Sequence, residues 1–356
     1  MIKILNNNIS LEKVYRLETS NETRLNKLRL DKNERANDHQ KVLLNKIKNS
    51  ITSNLISAYP EFFNLYSKLS KKIKVKKKNI ILTSGSDQGL KNCFEIFYKK
   101  KSHVITLDPT FAMIDIYCQV FRTQQIKIGY NEKLKLDVEK LIHSITGKTS
   151  LVIIANPNSP TGTILNIKDI KRIILKAKKK GAVVVIDEAY FEFSKYNCLN
   201  LIKANKNLII IRTFSKMFGL AGLRLGYVVS DVKNIKKFKA IKPMYEANSI
   251  AVKAAEISLD NNKIFKKYLK NLRIGEKYAI DYCKKNKIQF IKTYANFFHI
   301  DLGLLKKKII YNLKKNKILV RGGPSVIGFE NFLRISFANY QSIKKTFTII
   351  KKHYVK

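Results

Sequence analysis

The chain has 356 residues, 45% of them hydrophobic, which is enough for one large domain and one smaller domain. It contains no run of about 18 uncharged apolar residues, and its start lacks the apolar segment of a signal peptide, so we expect neither a membrane span nor secretion. Lysine and arginine number 70 against 26 acids, a formal net charge of +44. This excess is spread along the whole chain, which is typical of an A/T-rich genome rather than of a localised nucleic-acid site.

The spacing of cysteines and histidines indicates whether a chain forms disulfide bonds and whether it could bind a metal ion. The cysteines are Cys93, Cys118, Cys198 and Cys283. None forms a CxxC pair, which predicts reduced thiols in a cytoplasmic protein. The five histidines are not at metal-ligand spacing, so we predict no metal site.

In chain order, residues 1–40 are polar and asparagine-rich and predict an extended N-terminal arm. Residues 41–245 alternate short apolar runs with amphipathic segments, which predicts an α/β domain with a mainly parallel sheet. The helical segment that follows residue 166 has its isoleucines on one face and ends near Gly181. The runs that predict strands buried on both faces are Ile80–Leu82, Val104–Leu107, Leu151–Ala155, Ala182–Ile186, Leu208–Ile211 and Gly226–Val229.

The pattern changes in residues 246–356, which predict a smaller α+β domain. Helical stretches lead to two strand-like runs, Ile318–Arg321 and Phe332–Phe337. A final amphipathic helix carries Ile343, Phe347 and Ile350 on one face.

Two turns at strand ends are candidate contacts for an anion and a flat ring. In ILTSGSDQGL a strand ends at Thr83, and Gly85 and Ser86 begin a helix whose free amides attract anions. Phe111 follows the Pro109–Thr110 turn, where an aromatic side chain can stack on a ligand ring or pack in the core.

Two further strand ends carry polar side chains. LVIIANPNSPTGTIL predicts a sharp loop with a cis bond before Pro160, and Asn158 in it can hydrogen-bond a ring oxygen. In AVVVIDEAYFEF, Asp187 ends a buried strand, where a carboxylate needs a cationic partner. A protonated pyridine nitrogen would be such a partner, and Tyr190 could reach the hydroxyl of the same ring. The alternative for Asp187 is a helix N-cap.

The most specific segment covers residues 207–230, NLIIIRTFSKMFGLAGLRLGYVVS. A lysine between two buried strands is costly to keep charged, so we expect the amine of Lys216 to be nucleophilic and suited to a Schiff base with an aldehyde. Thr213 and Ser215 precede it, and Arg224 offers a fork of donors for a phosphate. An aldehyde that also carries a phosphate is pyridoxal 5'-phosphate, and the segment therefore predicts this cofactor.

The segments SGSDQ, DPTF, NPNSPTG, DEAYFEF, SKMFGLAGLRLG and NFLRISFA occur in an order that resembles the fold-type I, class I/II pyridoxal-phosphate-dependent aminotransferases. Between about Leu28 and Ala338 the chain is most similar to histidinol-phosphate aminotransferases. The resemblance implies a PLP-transferase fold, with a large domain around a mainly parallel sheet and a smaller α+β C-terminal domain. It also implies a biosynthetic transaminase that moves an amino group between a donor, glutamate, and an anionic or phosphorylated oxo compound.

The resemblance further implies roles for the residues around the cofactor. Lys216 would hold the cofactor and move a proton, and Asp187 would pair with the pyridine nitrogen. Tyr190 and Asn158 would contact the ring oxygen, and Phe111 would stack on the ring. The cofactor phosphate would be held by Gly85, Ser86, Thr213, Ser215 and Arg224.

Other residues are implied in substrate binding and assembly. Arg334 would bind the substrate carboxylate or its equivalent, with Arg321 and Asn33 as further substrate contacts. Tyr59, in SAYPE, would reach the cofactor phosphate of a neighbouring subunit, which implies a homodimer with shared active sites.

Three departures from the family pattern leave alternatives open. Arg35 follows Asn33–Glu34 where the family usually has a short Asn-Pro-type turn, which leaves the substrate open. Ser159, not asparagine, precedes Pro160, which is why the ring contact is assigned to Asn158. Phe111 replaces the more usual tyrosine. Two alternative functions remain open. One is a pyridoxal-phosphate-dependent decarboxylase of the threonine-phosphate type. The other belongs to a different functional class and is a basic nucleic-acid-binding protein.

Overall fold

The computed structural model describes residues 23–194 and 196–354. The strands in these ranges are β1 (Leu28–Arg29), β2 (Ile80–Thr83), β3 (His103–Asp108), β4 (Gln124–Gly129), β5 (Thr149–Ala155), β6 (Val183–Asp187), β7 (Leu208–Thr213), β8 (Gly226–Ser230), β9 (Phe290–Ile291), β10 (Phe297–Asp301), β11 (Ile318–Leu319), β12 (Arg321–Gly322) and β13 (Phe332–Ser336).

The α-helices in the same ranges fall before, between and after these strands. They are α1 (Lys41–Asn49), α2 (Ser53–Ser57), α3 (Phe63–Ile73), α4 (Gly85–Phe97), α5 (Ala112–Val120), α6 (Val138–Ser144), α7 (Ile167–Lys179), α8 (Val232–Ile241), α9 (Ser249–Asp260), α10 (Asn262–Lys285), α11 (Lys306–Lys315) and α12 (Tyr340–His353).

A seven-stranded sheet, in the order β2-β8-β7-β6-β5-β3-β4, forms the centre of the larger part. Its neighbouring strands are parallel except where β8 pairs with β2 and β7. Helices cover both faces, and the residues of β2, β5 and β7 are all buried. The predicted mainly parallel α/β sheet and its six predicted strands are confirmed. The edge strand β4 was not predicted, because its residues are mostly exposed or only partly buried.

A second, four-stranded antiparallel sheet has the order β12-β13-β10-β9 and packs against α10 and α12. On α12, Ile343, Phe347 and Ile350 are fully buried, which confirms the predicted apolar face. The single strand predicted at Ile318–Arg321 is wrong. The segment divides into β11, which pairs with β1, and β12, which joins the four-stranded sheet.

The two parts of the chain are joined by segments that cross the predicted domain limits. Residues 1–22 of the predicted arm lie outside the described residues, and the rest of the arm pairs through β1 with β11. Helix α9 follows residue 245 but packs into the core of the larger sheet, against α3. Within the described residues, no helix is long and apolar enough to cross a membrane.

Candidate active site

A pocket of about 170 Å³ lies at the carboxyl ends of β5, β6 and β7, where open α/β sheets bind their ligands. It brings together side chains that are far apart in the sequence. The predicted site residues that line it are Ser86, Phe111, Asp187, Tyr190, Thr213, Ser215, Lys216 and Arg224.

Lys216 reaches into this pocket from the loop that follows β7. Its side chain is partly buried, and its Nζ donates a hydrogen bond to the Lys32 carbonyl at 3.3 Å. The same nitrogen lies 5.3 Å from the centre of the Tyr190 ring. The primary amine therefore faces the pocket beside an aromatic wall.

Asp187 is the last residue of β6 and is almost fully buried. Its Oδ1 accepts a hydrogen bond from the Ala189 N–H at 3.0 Å, and no other described residue bonds the carboxylate. Burial raises the pKa of Asp187 to about 6, although the Ala189 N–H and the charge of Lys216 act against the rise. The remaining oxygen can accept a hydrogen bond from a ligand, and a cationic N–H would favour the ionised carboxylate.

Tyr190 forms a buried wall of the pocket, and Asn33 fixes its hydroxyl. The Asn33 Nδ2 donates to the Tyr190 hydroxyl at 3.1 Å, and Asn33 is itself bonded to Ser336. Burial acts to raise the pKa of Tyr190, but Lys216, Asn33 and the charge of Arg334 outweigh it, so the pKa lies below its ordinary value. The phenol is therefore poised to donate to, or share a proton with, an oxygen in the pocket.

The first turn of α4 and Arg224 form a cradle for an anion. Gly85 has φ +78°, and a Cβ built on it would lie 2.6 Å from Arg224 Nη2. A Cβ on Gly226 would lie 2.5 Å from the Ser86 backbone nitrogen. The guanidinium therefore lies directly against the start of a helix, where free N–H groups attract negative charge.

The hydroxyls of Thr213 and Ser215 line the pocket beside this cradle. Thr213 Oγ1 donates to Ser215 Oγ at 2.9 Å and accepts from the Ser215 N–H at 3.1 Å. This bonding fixes both side chains at the wall of the pocket.

The loop with Asn158 is built differently from the expectation. Asn158 is buried, and its amide bonds Thr110 at 2.9 Å, Thr161 at 2.8 Å and the Pro109 carbonyl at 2.9 Å. Its neighbours Pro157 and Ser159 line the pocket instead. The peptide bond before Pro160 is cis, as expected. The structure thus brings Ser159 to the pocket, while the Asn158 amide holds the loop together.

Besides Asn158, the predicted or suspected residues that lie outside the pocket lining are Gly85, Asn33, Tyr59, Arg334, Arg321 and Arg35. Tyr59 is exposed and stacks on Tyr245 with ring centres 4.2 Å apart. Arg334 is buried close enough to Tyr190 for its charge to act on it, and its Nη2 donates to the Asp31 carbonyl at 2.7 Å. Arg321 lies opposite Arg334 in the small sheet. Arg35 covers the ring of Tyr268 at 3.7 Å, which gives it a packing role away from the pocket.

Sequence reasoning missed several pocket residues, among them Lys32, Glu34 and Ser159. Lys32 contributes its carbonyl to Lys216, so its side-chain type gave no signal. Glu34 is paired with Arg24 at 2.9 Å and Arg29 at 3.2 Å. The available clue was the departure from the family pattern at Asn33–Glu34, which had left the substrate open.

These residues fit pyridoxal 5'-phosphate. The cradle formed by Gly85, Ser86 and Arg224 suits its phosphate, and the unbonded oxygen of Asp187 suits a pyridinium N–H. The amine of Lys216 suits its aldehyde. No group of three or more histidine, cysteine or acidic side chains in the described residues could hold a metal ion.

Comparison with known proteins identifies the family. The sequence profile described as "Aminotransferase class I and II" matches residues 16–344. Histidinol-phosphate aminotransferase 1 of Carboxydothermus hydrogenoformans is 32% identical over 327 residues, which cover 89% of this chain and 91% of the relative.

Two solved structures have the same fold. The histidinol-phosphate aminotransferase of Clostridium acetobutylicum has a TM-score of 0.81 at 25% identity, over 91% of this chain and 98% of that one. The enzyme of Sinorhizobium meliloti, solved in complex with pyridoxal 5'-phosphate, has a TM-score of 0.80 at 22% identity, over 91% of each chain. The chain described here belongs to the class I and II aminotransferase family, and it is a pyridoxal-phosphate-dependent aminotransferase.

Proposed function

We propose that this aminotransferase moves an amino group between glutamate and the oxo compound that corresponds to histidinol phosphate. The supporting observation is the pair Arg334 and Arg321, which lie directly opposite each other on neighbouring strands. Like charges in this position are destabilising. Burial and the like charge of Arg321 lower the pKa of Arg334, so an anionic substrate would relieve the repulsion.

Arg334 is the better placed of the two for binding a substrate anion. Its Nη2 is held by the Asp31 carbonyl, whereas its enclosed Nε has no partner among the described residues. Its charge acts on Tyr190, which places it close to the pocket wall. A planar guanidinium matches a carboxylate or phosphate in a bidentate way.

In the proposed mechanism, bound pyridoxal phosphate supplies an electron sink for the bond that breaks at the substrate α-carbon. Lys216 would hold the cofactor through its Nζ, and the same amine, when free, would remove a proton from the substrate α-carbon and return a proton in the second half of the reaction. Asp187 would keep the pyridine nitrogen protonated, because a buried, ionised carboxylate beside that nitrogen stabilises its cationic N–H form. Tyr190, oriented by Asn33, hydrogen-bonds the ring oxygen, and Ser159 lies beside it.

We propose the remaining cofactor contacts from where the residues lie around the pocket. Phe111 would cover one face of the ring, and the phosphate would be bound by Gly85, Ser86, Thr213, Ser215 and Arg224. Asn33 acts on the substrate side through Tyr190. Asn158 acts by holding the loop that presents Ser159.

We also propose a cytoplasmic homodimer with shared active sites. Tyr59 is exposed over 74% of its surface, and Tyr245, Met244 and Phe63 add apolar surface that is also exposed. Tyr59 and Tyr245 stack on each other, and exposed apolar side chains of this kind are typical of a protein interface. A second copy covering the patch would bring Tyr59 to the partner's cofactor phosphate. The four cysteines are free and buried, which supports a reducing compartment.

A substrate screen tests the proposal. Purified, cofactor-loaded protein is given histidinol phosphate with 2-oxoglutarate, and glutamate formation is measured. Histidinol without its phosphate is the matched control, and we expect it to react at least about tenfold more slowly, because it lacks a charge-assisted contact. Equal rates would contradict the anion assignment. Release of carbon dioxide from threonine phosphate would favour a decarboxylase instead.

A further inference from the structure

His299 lies at the buried end of a row of three side chains that crosses the small sheet. On β10 it is directly opposite Arg334 of β13, which is itself opposite Arg321 of β12. Opposed residues of antiparallel strands point to the same face. His299 is fully buried, Arg334 is 5% exposed and Arg321 is exposed, so the imidazole is the innermost member of the row.

The imidazole bonds the backbone of the loop at Pro160 and Thr161, and this contact joins the two parts of the molecule. His299 Nε2 lies 3.0 Å from the carbonyl oxygen of Pro160. A carbonyl only accepts, so Nε2 carries the hydrogen and donates it, and a neutral ring then has no hydrogen on Nδ1. Nδ1 is enclosed and has no hydrogen-bond partner among the described residues.

The loop that accepts this bond also lines the active-site pocket. Ser159, next to Pro160, is a lining residue. The same loop receives a second contact from the small-sheet side, since the Tyr294 N–H donates to the Gly162 carbonyl at 2.8 Å. The side chain of Thr293 packs against Gly162 where a Cβ would otherwise lie. Strand β10 and the turn before it are therefore anchored to the pocket wall.

The charge state of His299 matters because of its neighbour. Burial lowers the pKa of His299 to about 3, and the charge of Arg334 acts in the same direction. The ring is neutral at physiological pH, so the row carries the charges of the two arginines alone.

We propose that His299 is a positioning residue, whose bond to Pro160 holds β10, and with it Arg334 on the adjacent strand, at a fixed distance from the pocket. The inference rests on the proposed function, in which Arg334 binds the substrate anion. It predicts that loss of the bond weakens anion binding, while the contacts proposed for the cofactor phosphate, at the start of α4 and after β7, are unchanged.

Three variants of the cofactor-loaded protein test the proposal. His299→Leu removes the bond, and His299→Gln offers an amide N–H to the same carbonyl. Phe298→Leu is the control, since Phe298 is the next residue of β10, is equally buried, and packs on Phe290 on the other face of the sheet. The probe is glutarate, an unreactive dicarboxylate that resembles glutamate without its amino group.

Calorimetric titration with glutarate is the first measurement. We expect His299→Leu to weaken glutarate binding about tenfold, the scale of one misplaced charge-assisted contact. His299→Gln and Phe298→Leu should bind within about twofold of the unaltered protein. Cofactor retention should be the same in all of them. Unchanged glutarate binding in His299→Leu, or an equal loss in Phe298→Leu, would overturn the proposal.

Hydrogen exchange separates this inference from the proposed function. Faster exchange of the amides in residues 156–163 is expected in His299→Leu and not in His299→Gln, whatever the substrate. If the unaltered protein does not bind glutarate, the proposed donor is wrong, and the exchange result alone decides on His299. Unchanged exchange in His299→Leu shows that the bond anchors nothing and refutes the positioning role.

Discussion

At the scale of single residues, the site depends on charged groups that are buried without a full set of partners. Burial lowers the pKa of Arg334 to about 10, although Tyr190 acts against the change. Asp187 shows the opposite case, since burial raises the pKa of its carboxyl. Both groups would be more stable as ions beside a ligand of opposite charge, and perturbed groups of this kind collect at functional sites.

The role of Arg334 predicts the behaviour of Arg334→Lys. Lysine keeps the charge but loses the planar fork, so kcat/KM for the amino donor should fall roughly ten- to a thousandfold. Cofactor retention should not change. Steady-state kinetics with glutamate provide the measurement, and the control is Arg35→Lys, whose guanidinium packs on Tyr268 instead. A variant with unaltered donor kinetics would exclude Arg334 from substrate binding.

Glu192 gives a pH-dependent prediction for stability. Its Oε2 is enclosed without a partner among the described residues, and burial raises the pKa of this carboxyl to about 8, against the influence of Arg212. The folded protein therefore keeps a proton that the unfolded chain releases above its ordinary pKa of 4.5. The stability contribution is present below that value and is lost as pH rises towards about 8.

Replacement of Glu192 by glutamine removes this proton release. Glu192→Gln should melt roughly 1 to 2 °C above the unaltered protein at about pH 8, the change that about 1 kcal/mol produces in a chain of this size, and close to it at about pH 5. Thermal unfolding followed by circular dichroism at both pH values checks this. A difference that is the same at both values would argue against titration of Glu192.

At the scale of elements, the pocket forms because strand ends and one helix start are held together. The buried pair Glu188 and Arg212 joins the ends of β6 and β7, with Arg212 Nε and Nη2 at 2.8 and 2.6 Å from Glu188 Oε2. Glu188 directly follows Asp187 in the chain, and Arg212 directly precedes Thr213. Removal of one partner from such a pair leaves a buried charge and is strongly destabilising.

Gly226, at the start of β8, provides a test of the anion cradle formed by Gly85, Ser86 and Arg224. A Cβ on Gly226 would lie 2.5 Å from the Ser86 nitrogen and 2.6 Å from the Gly85 carbonyl carbon, so Gly226→Ala must displace the first turn of α4. We expect cofactor retention, measured by equilibrium dialysis, to weaken at least about tenfold. Gly222→Ala is the matched control, because nothing lies within 4 Å of its added Cβ. Equal retention in both variants would contradict the cradle geometry.

At the scale of the whole molecule, a homodimer with crossing tyrosines can be tested by mixing variants. A Tyr59→Ala dimer and a Lys216→Ala dimer should each be impaired. If Tyr59 reaches the partner's site, each mixed dimer has one site with both changes and one intact site. Random mixing should then restore about a quarter of the full activity, because half of the dimers are mixed and one site in two is intact.

The control for this experiment mixes Lys216→Ala with Asp187→Asn, two changes that we propose to lie in the same chain's site. No mixed dimer then has an intact site, so activity should stay low. Absence of recovery in the Tyr59 mixture as well would mean that Tyr59 does not cross to the partner.

The sequence by itself determined the sheet and the ring of residues around Lys216. Strand ends of a parallel sheet meet at one edge, so the motifs at Gly85, Asp187 and Lys216 could be placed together from local pattern alone. The predicted limits at residues 40 and 245 stay predictions, as α9 belongs to the larger core although it follows the second limit.

Only the tertiary structure decided which side chains face the pocket and which hold it. Asn158 and Ser159 are neighbours, and the bonds of Asn158 to Pro109 and Thr110, on another loop, leave Ser159 to line the pocket. The bond from Asn33 to Tyr190 and that from His299 to Pro160 join residues more than a hundred positions apart. Such contacts depend on how the two sheets pack, which local propensity and periodicity do not encode.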